Sequence, residues 1–269
     1  MTQVVTSLSN PRVQAARKLL RRSGRLEAGA FLVEGPRPIA EALRARAGVR
    51  SVFVAAEDGL DHLATLAADE GVPVTRVPER VLAALCDTVT PQGAVAIVDA
   101  PPPGIASLPP AGSLYVVLAD VRDPGNAGTL VRSAAAACAA AIVFARGSVD
   151  PLQPKSVRAS AGALLALPLV REVSLEEALG ALRARGVALL GADAAGAPAD
   201  SVDLVRPLAL VLGNESGGLS GPARDRIDEL VSVPMPGGVE SLNVGIAGAI
   251  LLFEAVRQRR AAGAGTSPR

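Results

Sequence analysis

The sequence predicts an α/β protein of two domains, on three observations. Short apolar runs of strand length alternate with helix-patterned stretches along the chain. One segment rich in proline interrupts that alternation, and polar loops carrying glycine follow three strands of the second half. The interruption is APPPGIASLPPAG at 100–112, with five prolines and two glycines. It divides the chain into a first domain over 1–100, a linker over 101–112 and a second domain over 113–260.

In the first domain, FLVE (31–34), SVFVA (51–55) and AVAIV (94–98) read as buried strands. Helical patterns run from about Pro36 to Arg46, Asp58 to Glu70 and Pro78 to Leu85, which makes a small α/β sandwich. In the second domain the order begins with LYVVLA (114–119), a helix from about Thr129, and AIVFA (141–145). A helix around KSVRASAGALLAL, the helix LEEALGALRARG and the strands VALLGA (187–192) and LALVLG (208–213) follow. A short helix at PARDRIDEL, the strand VSVPM (231–235) and a long helix from Ser241 to about Arg260 complete it. Strands alternating with helices imply a mostly parallel sheet covered on both faces.

Composition removes several kinds of chemistry. Of 269 residues 49% are hydrophobic, enough for buried cores, yet the apolar runs are too short to span a bilayer. The opening MTQVVTSLSNPRVQ lacks the apolar centre of a signal peptide, so the expected location is the cytoplasm. Cys86 and Cys138 are the only cysteines and read as buried reduced thiols, which supports neither a disulfide framework nor a cysteine metal site. His62 is the only histidine and sits in an amphipathic stretch, which disfavours histidine triads and histidine-rich metal centres; no metal site is expected. Lys18 and Lys155 are the only lysines and no G-x-x-x-x-G-K occurs, so nucleoside triphosphate hydrolysis is disfavoured.

The net charge of +1 hides a local excess. Residues 10–25, NPRVQAARKLLRRSGR, hold Arg12, Arg17, Lys18, Arg21, Arg22 and Arg25 without an acid, which suits contact with phosphates or a solvated face. The tail repeats the bias with Arg257, Arg259 and Arg260. Aromatic residues are 2% of the chain, so base stacking cannot be the main grip on RNA.

The three loops are DVRDPGNAGTLVRSAAAA (120–137), VLGNESGGLS (211–220) and VPMPGGVESLNVGIAGA (233–249). Each sits at the carboxyl end of a strand, where open α/β sheets bind ligands, yet none makes the dinucleotide turn G-x-G-x-x-G. Glycine admits close backbone approach and the Asn, Glu and Ser side chains supply donors and acceptors. Asn126 and Arg132, six residues apart across a loop and a helix start, are expected to converge on one pocket.

Taken in this order, the loops resemble the three motifs of the SpoU, or TrmH-like, branch of the SPOUT superfamily, RNA ribose 2'-O-methyltransferases. The resemblance covers residues 113 to about 258, and SLSNPRVQAARKLLRRSGRLEAGAFLVEGPRPIAEAL (7–43) is similar to the opening of the ribosomal-protein-L30-like (L30e-like) substrate-binding domain many members carry. Where a serine often follows the valine of the third motif, this chain has Gly245, expected to soften the helix start. The resemblance implies a trefoil knot in the parallel C-terminal domain, S-adenosylmethionine as cofactor, RNA as partner and a homodimer formed through the knotted domain. It implies that Leu212, Gly213, Val233, Pro234, Met235, Ser241 and Leu242 hold the cofactor. It makes Arg132 the central catalytic residue, oriented by Glu215, with Asn126, Ser241 and Asn243 positioning ribose or shaping the loops. Ribosomal RNA is favoured over transfer RNA by the attached domain. A noncatalytic RNA-binding scaffold and a Rossmann-type enzyme are the competing classes; stabilisation by S-adenosylmethionine, by NAD or by neither separates them.

Overall fold

Asn10 precedes Pro11, and its side chain accepts a 2.9 Å hydrogen bond from the Arg12 amide, so α1 (Pro11–Lys18) starts with a capped end and a proline that needs no donor. A second short helix, α2 (Arg22–Ala28), turns back on it. Gly24 permits that corner, because a Cβ there would stand 2.2 Å from the Lys18 carbonyl oxygen. The computed structural model describes residues 3–56, 59–214 and 217–263. It divides into one unit of Met1–Pro101 with Leu152–Leu165 and another of Pro102–Pro151 with Ala166–Arg269.

The first unit is a five-stranded mixed sheet. Its strands are β1 (Gln3–Val4), β2 (Ala30–Glu34), β3 (Val49–Ala55), β4 (Val74–Val77) and β5 (Ala94–Asp99), in the order β1-β4-β3-β5-β2. The helices α3 (Pro36–Arg44), α4 (Asp61–Asp69) and α5 (Glu79–Ala83) alternate with them. Val13, Ala16 and Leu19 of the α1 region pack with Leu32, Phe53, Val77 and Val95 in one core. The strands β1 and β4 are absent from the sequence expectation: two and four residues are too few to show a period.

The second unit is a six-stranded sheet in which every pairing is parallel. It contains β6 (Leu114–Leu118), α6 (Pro124–Ala136), β7 (Ala141–Ala145), β8 (Leu169–Val173), α8 (Leu175–Arg183), β9 (Ala188–Pro198), β10 (Leu208–Leu212), α9 (Gly221–Arg224), β11 (Glu229–Ser232) and α10 (Val244–Ala261). The order is β11-β9-β10-β6-β7-β8, and all residues of β6, β7 and β10 are buried, as apolar strands covered on both faces require. The helix α7 (Pro154–Ala159) belongs to the first unit, where the Arg158 guanidinium lies 3.5 Å from the Glu34 carboxylate and 3.2 Å from that of Asp87.

Several boundaries differ from expectation for local reasons. The helix expected over KSVRASAGALLAL ends at Ala159, because Ala161 and Gly162 take positive φ (48° and 86°). The apolar run that follows splits at Pro168, whose carbonyl accepts from the Ile142 amide and starts β8 against β7. PARDRIDEL supplies only the short helix α9 before β11 opens at Glu229. The last helix begins at Val244 and not at Ser241, with Asn243 as its cap. Both thiols are free but neither is buried: Cys86 is half-buried and Cys138 is exposed, just past the end of α6.

Two arginines counted as surface charge are interior fasteners. Arg25 is 5% exposed and donates to the carbonyls of Leu19 (2.8 Å) and Leu20 (3.0 Å), closing the end of α1. Arg259, also 5% exposed, donates to the Leu204, Ser113 and Arg206 carbonyls and to the Ser113 hydroxyl at 2.7–3.0 Å. Burial pushes its pKa below the ordinary guanidinium value, with the Asp203 charge opposing. Replacing Arg259 by Met keeps much of the stem and removes every one of these donors, leaving three carbonyls to find other partners. A loss of about 3 kcal/mol is expected, read as a lower urea midpoint; an unchanged midpoint would show that water replaces the guanidinium.

Candidate functional site

The site begins with strand register. Leu118 pairs with Leu212, and the Ala119 amide donates to the Leu212 carbonyl, so β6 and β10 end level and release their loops side by side. Immediately beyond β10, Gly213 runs against its own returning loop: a Cβ there would lie 2.3 Å from the backbone of Gly218. The next residue, Asn214, exchanges two backbone hydrogen bonds with Gly218. Its side-chain amide donates to the Asp120 carbonyl at 3.0 Å, across to the loop after β6. Asp120 holds a positive φ of 68°, and its carboxylate receives Arg122 through two nitrogens at 2.9 and 3.0 Å. Asn214 was not among the residues expected to matter. The signal was present in sequence as a polar side chain straight after a wholly apolar strand.

From the first loop, α6 starts at Pro124, five residues earlier than expected, because Asp123 caps it by accepting the Asn126 amide at 2.8 Å. Asn126 therefore lies in the first helical turn and not in a loop. Arg132 follows six residues later, which in an α-helix is about 9 Å along the axis and about 120° around it. Asn126 is half-buried and Arg132 exposed, and Arg132 makes no hydrogen bond or ion pair with another described residue. Glu215, expected to orient it, lies outside the described residues.

From the third loop, the Asn243 carbonyl oxygen Oδ1 accepts the amides of Gly245 (2.9 Å) and Ile246 (3.3 Å), while its Nδ2 donates to Asn126 Oδ1 at 2.8 Å. The N-termini of α6 and α10 are thus joined by one side-chain bond. Gly245, expected to soften the helix start, is buried in that joint. A Cβ on it would sit 3.3 Å from the Thr129 Cβ and 3.1 Å from Asn243 Oδ1, so its small size serves the contact with α6. A turn further, a Cβ on Gly248 would stand 2.4 Å from Leu130 and 2.9 Å from Leu212.

Between these loops lies a cavity of about 280 Å³. Leu212, Gly213, Val233, Met235, Ser241 and Leu242 line it, six of the seven residues expected to hold a cofactor. Pro234 does not: it is exposed, while its half-buried neighbours Val233 and Met235 line the cavity. Val231, Val244, Ala247 and Leu251 complete much of the apolar wall, with Ser232 beside them. Ala192, Asp193 and Ala194 come from β9 and were missed, because the strand leaves its pairing at that point. Asn126, Arg132 and Asn243 are not on this wall; the asparagines form the adjoining helix joint.

In the first unit, Arg12, Arg17, Lys18, Arg21 and Arg22 are exposed on α1, α2 and their corner, whereas Arg25 is turned inward as described.

The chain resembles known proteins over most of its length. A family model described as the SpoU rRNA Methylase family matches residues 113–253, and one described as the MRM3-like substrate binding domain matches 10–96. A 23S rRNA uridine 2'-O-methyltransferase of Streptomyces viridochromogenes is 35% identical, over 96% of this chain and 94% of that one. A 23S rRNA guanosine 2'-O-methyltransferase of Bacillus subtilis is 32% identical, over 93% of this chain and 97% of that one. An rRNA methyltransferase from Sinorhizobium meliloti, solved with AdoMet bound, superimposes with a TM-score of 0.84 at 32% identity, covering 97% of this chain and 98% of that one.

Proposed function

We propose that this chain, which belongs to the SpoU rRNA methylase family, transfers a methyl group from S-adenosylmethionine to the 2'-hydroxyl of a ribose in RNA, with ribosomal RNA as the substrate class. The observation that carries the reading is the cavity at the ends of β10 and β11 and the bulge of β9, beside the joined starts of α6 and α10. Its residues fit the cofactor. Leu212, Val233, Met235, Leu242 and Leu251 offer an apolar bed for adenine and methylene groups, and the close-packed Gly213 leaves backbone polar groups at the wall. The trefoil knot expected of this half of the chain is part of the same proposal. When bound, S-adenosylmethionine supplies an electrophilic methyl carbon on a positively charged sulfur.

The protein's part is to place a ribose hydroxyl in line and to manage its proton, and this needs no metal. Arg132 holds an RNA phosphate and stabilises the oxyanion as it forms. A guanidinium holds its proton too firmly to act as a base, so water or phosphate takes the proton. Glu215 orients Arg132, Ser241 meets the ligands from the cavity wall, and Asn126 with Asn243 fixes the angle at which the two helices present their first turns.

The unit of residues 1–101 with 152–165 binds the RNA and the unit of 102–151 with 166–260 carries out transfer; the expected linker 101–112 belongs almost wholly to the second unit, and the expected second domain gives up 152–165 to the first. Among the described residues no helix is long and apolar enough to cross a membrane, and the cytoplasm is the compartment proposed for enzyme and substrate. The protein works as a homodimer: Ile246, Ile250 and Phe253 follow one stripe of α10 and are 41–51% exposed, an apolar face that a second copy would cover.

Three measurements test these statements. Arg132→Ala is expected to abolish methyl transfer, and Arg132→Lys to come close, while both still bind S-adenosylmethionine. Near-normal turnover by either with the fold intact would overturn the mechanism and leave the family standing. Reversing Arg17, Arg21 and Arg22 to Glu should weaken RNA binding and flatten its dependence on salt with cofactor affinity unchanged. RNA affinity equal to that of the unmodified chain would reduce the α1–α2 face to a solvated surface. Sedimentation at micromolar concentration should give a dimer, and a monomer there contradicts the α10 interface.

A further inference from the structure

Asp193 is the one titratable side chain among the described residues of the cavity wall. It reaches that position through a break in β9. Leu230 of β11 pairs with Gly191, but the next residue, Val231, pairs with Ala197, so residues 192–196 bulge out of the ladder. Bulges beside binding sites re-aim side chains. This one is held by tight backbone contact, since a Cβ on Gly196 would lie 2.5 Å from the Leu230 carbonyl carbon, and the Ser232 hydroxyl donates to the Gly196 carbonyl at 2.9 Å.

The carboxylate is fixed within the bulge. Oδ1 accepts the Ala195 amide at 2.9 Å and Oδ2 accepts Arg224 at 2.6 Å. The Asp193 side chain is only 17% exposed, whereas that of Arg224 is 45% exposed and stands outside the wall. The anion therefore faces a largely apolar cavity, and solvent screens its counter-charge more than it screens the anion itself.

Resting on the cofactor reading above, we propose that Asp193 is a specificity-determining residue by which the cavity prefers the charged methyl donor to its neutral product. The donor's sulfur is a cation. After transfer the electron pair of the broken carbon–sulfur bond stays on sulfur, which becomes an uncharged thioether, while the amino, carboxylate and adenosine groups are unchanged. A fixed anion on the wall favours the first ligand over the second, holding the donor before transfer and easing product release afterwards. A carboxylate that instead recognised ribose hydroxyls or the amino group would favour both ligands alike.

The test is isothermal titration of the full chain, without RNA, with S-adenosylmethionine and with S-adenosylhomocysteine. Asp193→Asn preserves the acceptor for the Ala195 amide and removes the charge. It should shrink the preference for the donor by about three- to tenfold, chiefly through weaker donor binding. Arg224→Gln, which removes the counter-charge, should enlarge the preference. Parallel loss of both ligands in Asp193→Asn, or an unaltered ratio in a folded Arg224→Gln chain, overturns the proposal and leaves the cofactor reading intact. An unmodified chain that binds neither ligand overturns both.

Discussion

The level ending of β6 and β10 is the constraint from which the site follows. Parallel pairing from Leu114 with Leu208 to Leu118 with Leu212 sets both chains free at one height, in the middle of a six-stranded sheet. A register shift of one residue would turn each fully buried strand over and separate the two loops. With the register kept, Asn214 can reach the Asp120 carbonyl, and the loop after β10 can fold back tightly on Gly213. The polar geometry of the site is therefore inherited from apolar packing of Val116, Val117, Leu210 and Val211, none of which lines the cavity.

The same logic explains the glycines of α10. A helix usually loses stability where glycine replaces a side chain, yet Gly245 and Gly248 lie where α10 meets Thr129 and Leu130 of α6 and Leu212 of β10. Helices can cross only as closely as their side chains allow, so these two positions draw the N-terminus of α10 onto α6. That approach brings Asn243 within 2.8 Å of Asn126. Asn243 then does two jobs with one amide group: its oxygen satisfies the first free amides of the helix and its nitrogen ties the neighbour. A serine at 245 would bring a Cβ to 3.3 Å from that of Thr129, closer than ordinary contact.

The sheet, the domain with its parallel strands, and the glycine-bearing loops were legible because apolar runs and loop chemistry are local signals. What was illegible depends on partners distant in sequence. VTRV at 74–77 becomes a strand because β3 and β1 flank it, and Asp193 becomes a wall residue only because β11 skips five positions of β9. The start of α6 is different, for Asp123 followed by Pro124 is a local capping signal, five residues ahead of the start expected from the helical pattern. Charge was the least legible property. Arg25 and Arg259 look in sequence like their neighbours in two basic stretches, and only the fold sends their guanidinium groups inward to backbone carbonyls.

That contrast among arginines bears on mechanism. A guanidinium has five donors in a plane, and its role depends on how many the protein itself has already used. Arg259 spends four hydrogen bonds on carbonyls and a hydroxyl, so it is a structural staple whose charge is not offered to a ligand. Arg122 lies at the mouth of the site but its fork closes on Asp120. Arg132 stands on a rigid helix, exposed and without a bond to another described residue. Donors that the described residues leave open cost little at a solvated surface, because water can occupy them. That openness is what the phosphate-holding role proposed for Arg132 requires, and its place on α6 would fix the direction of its fork.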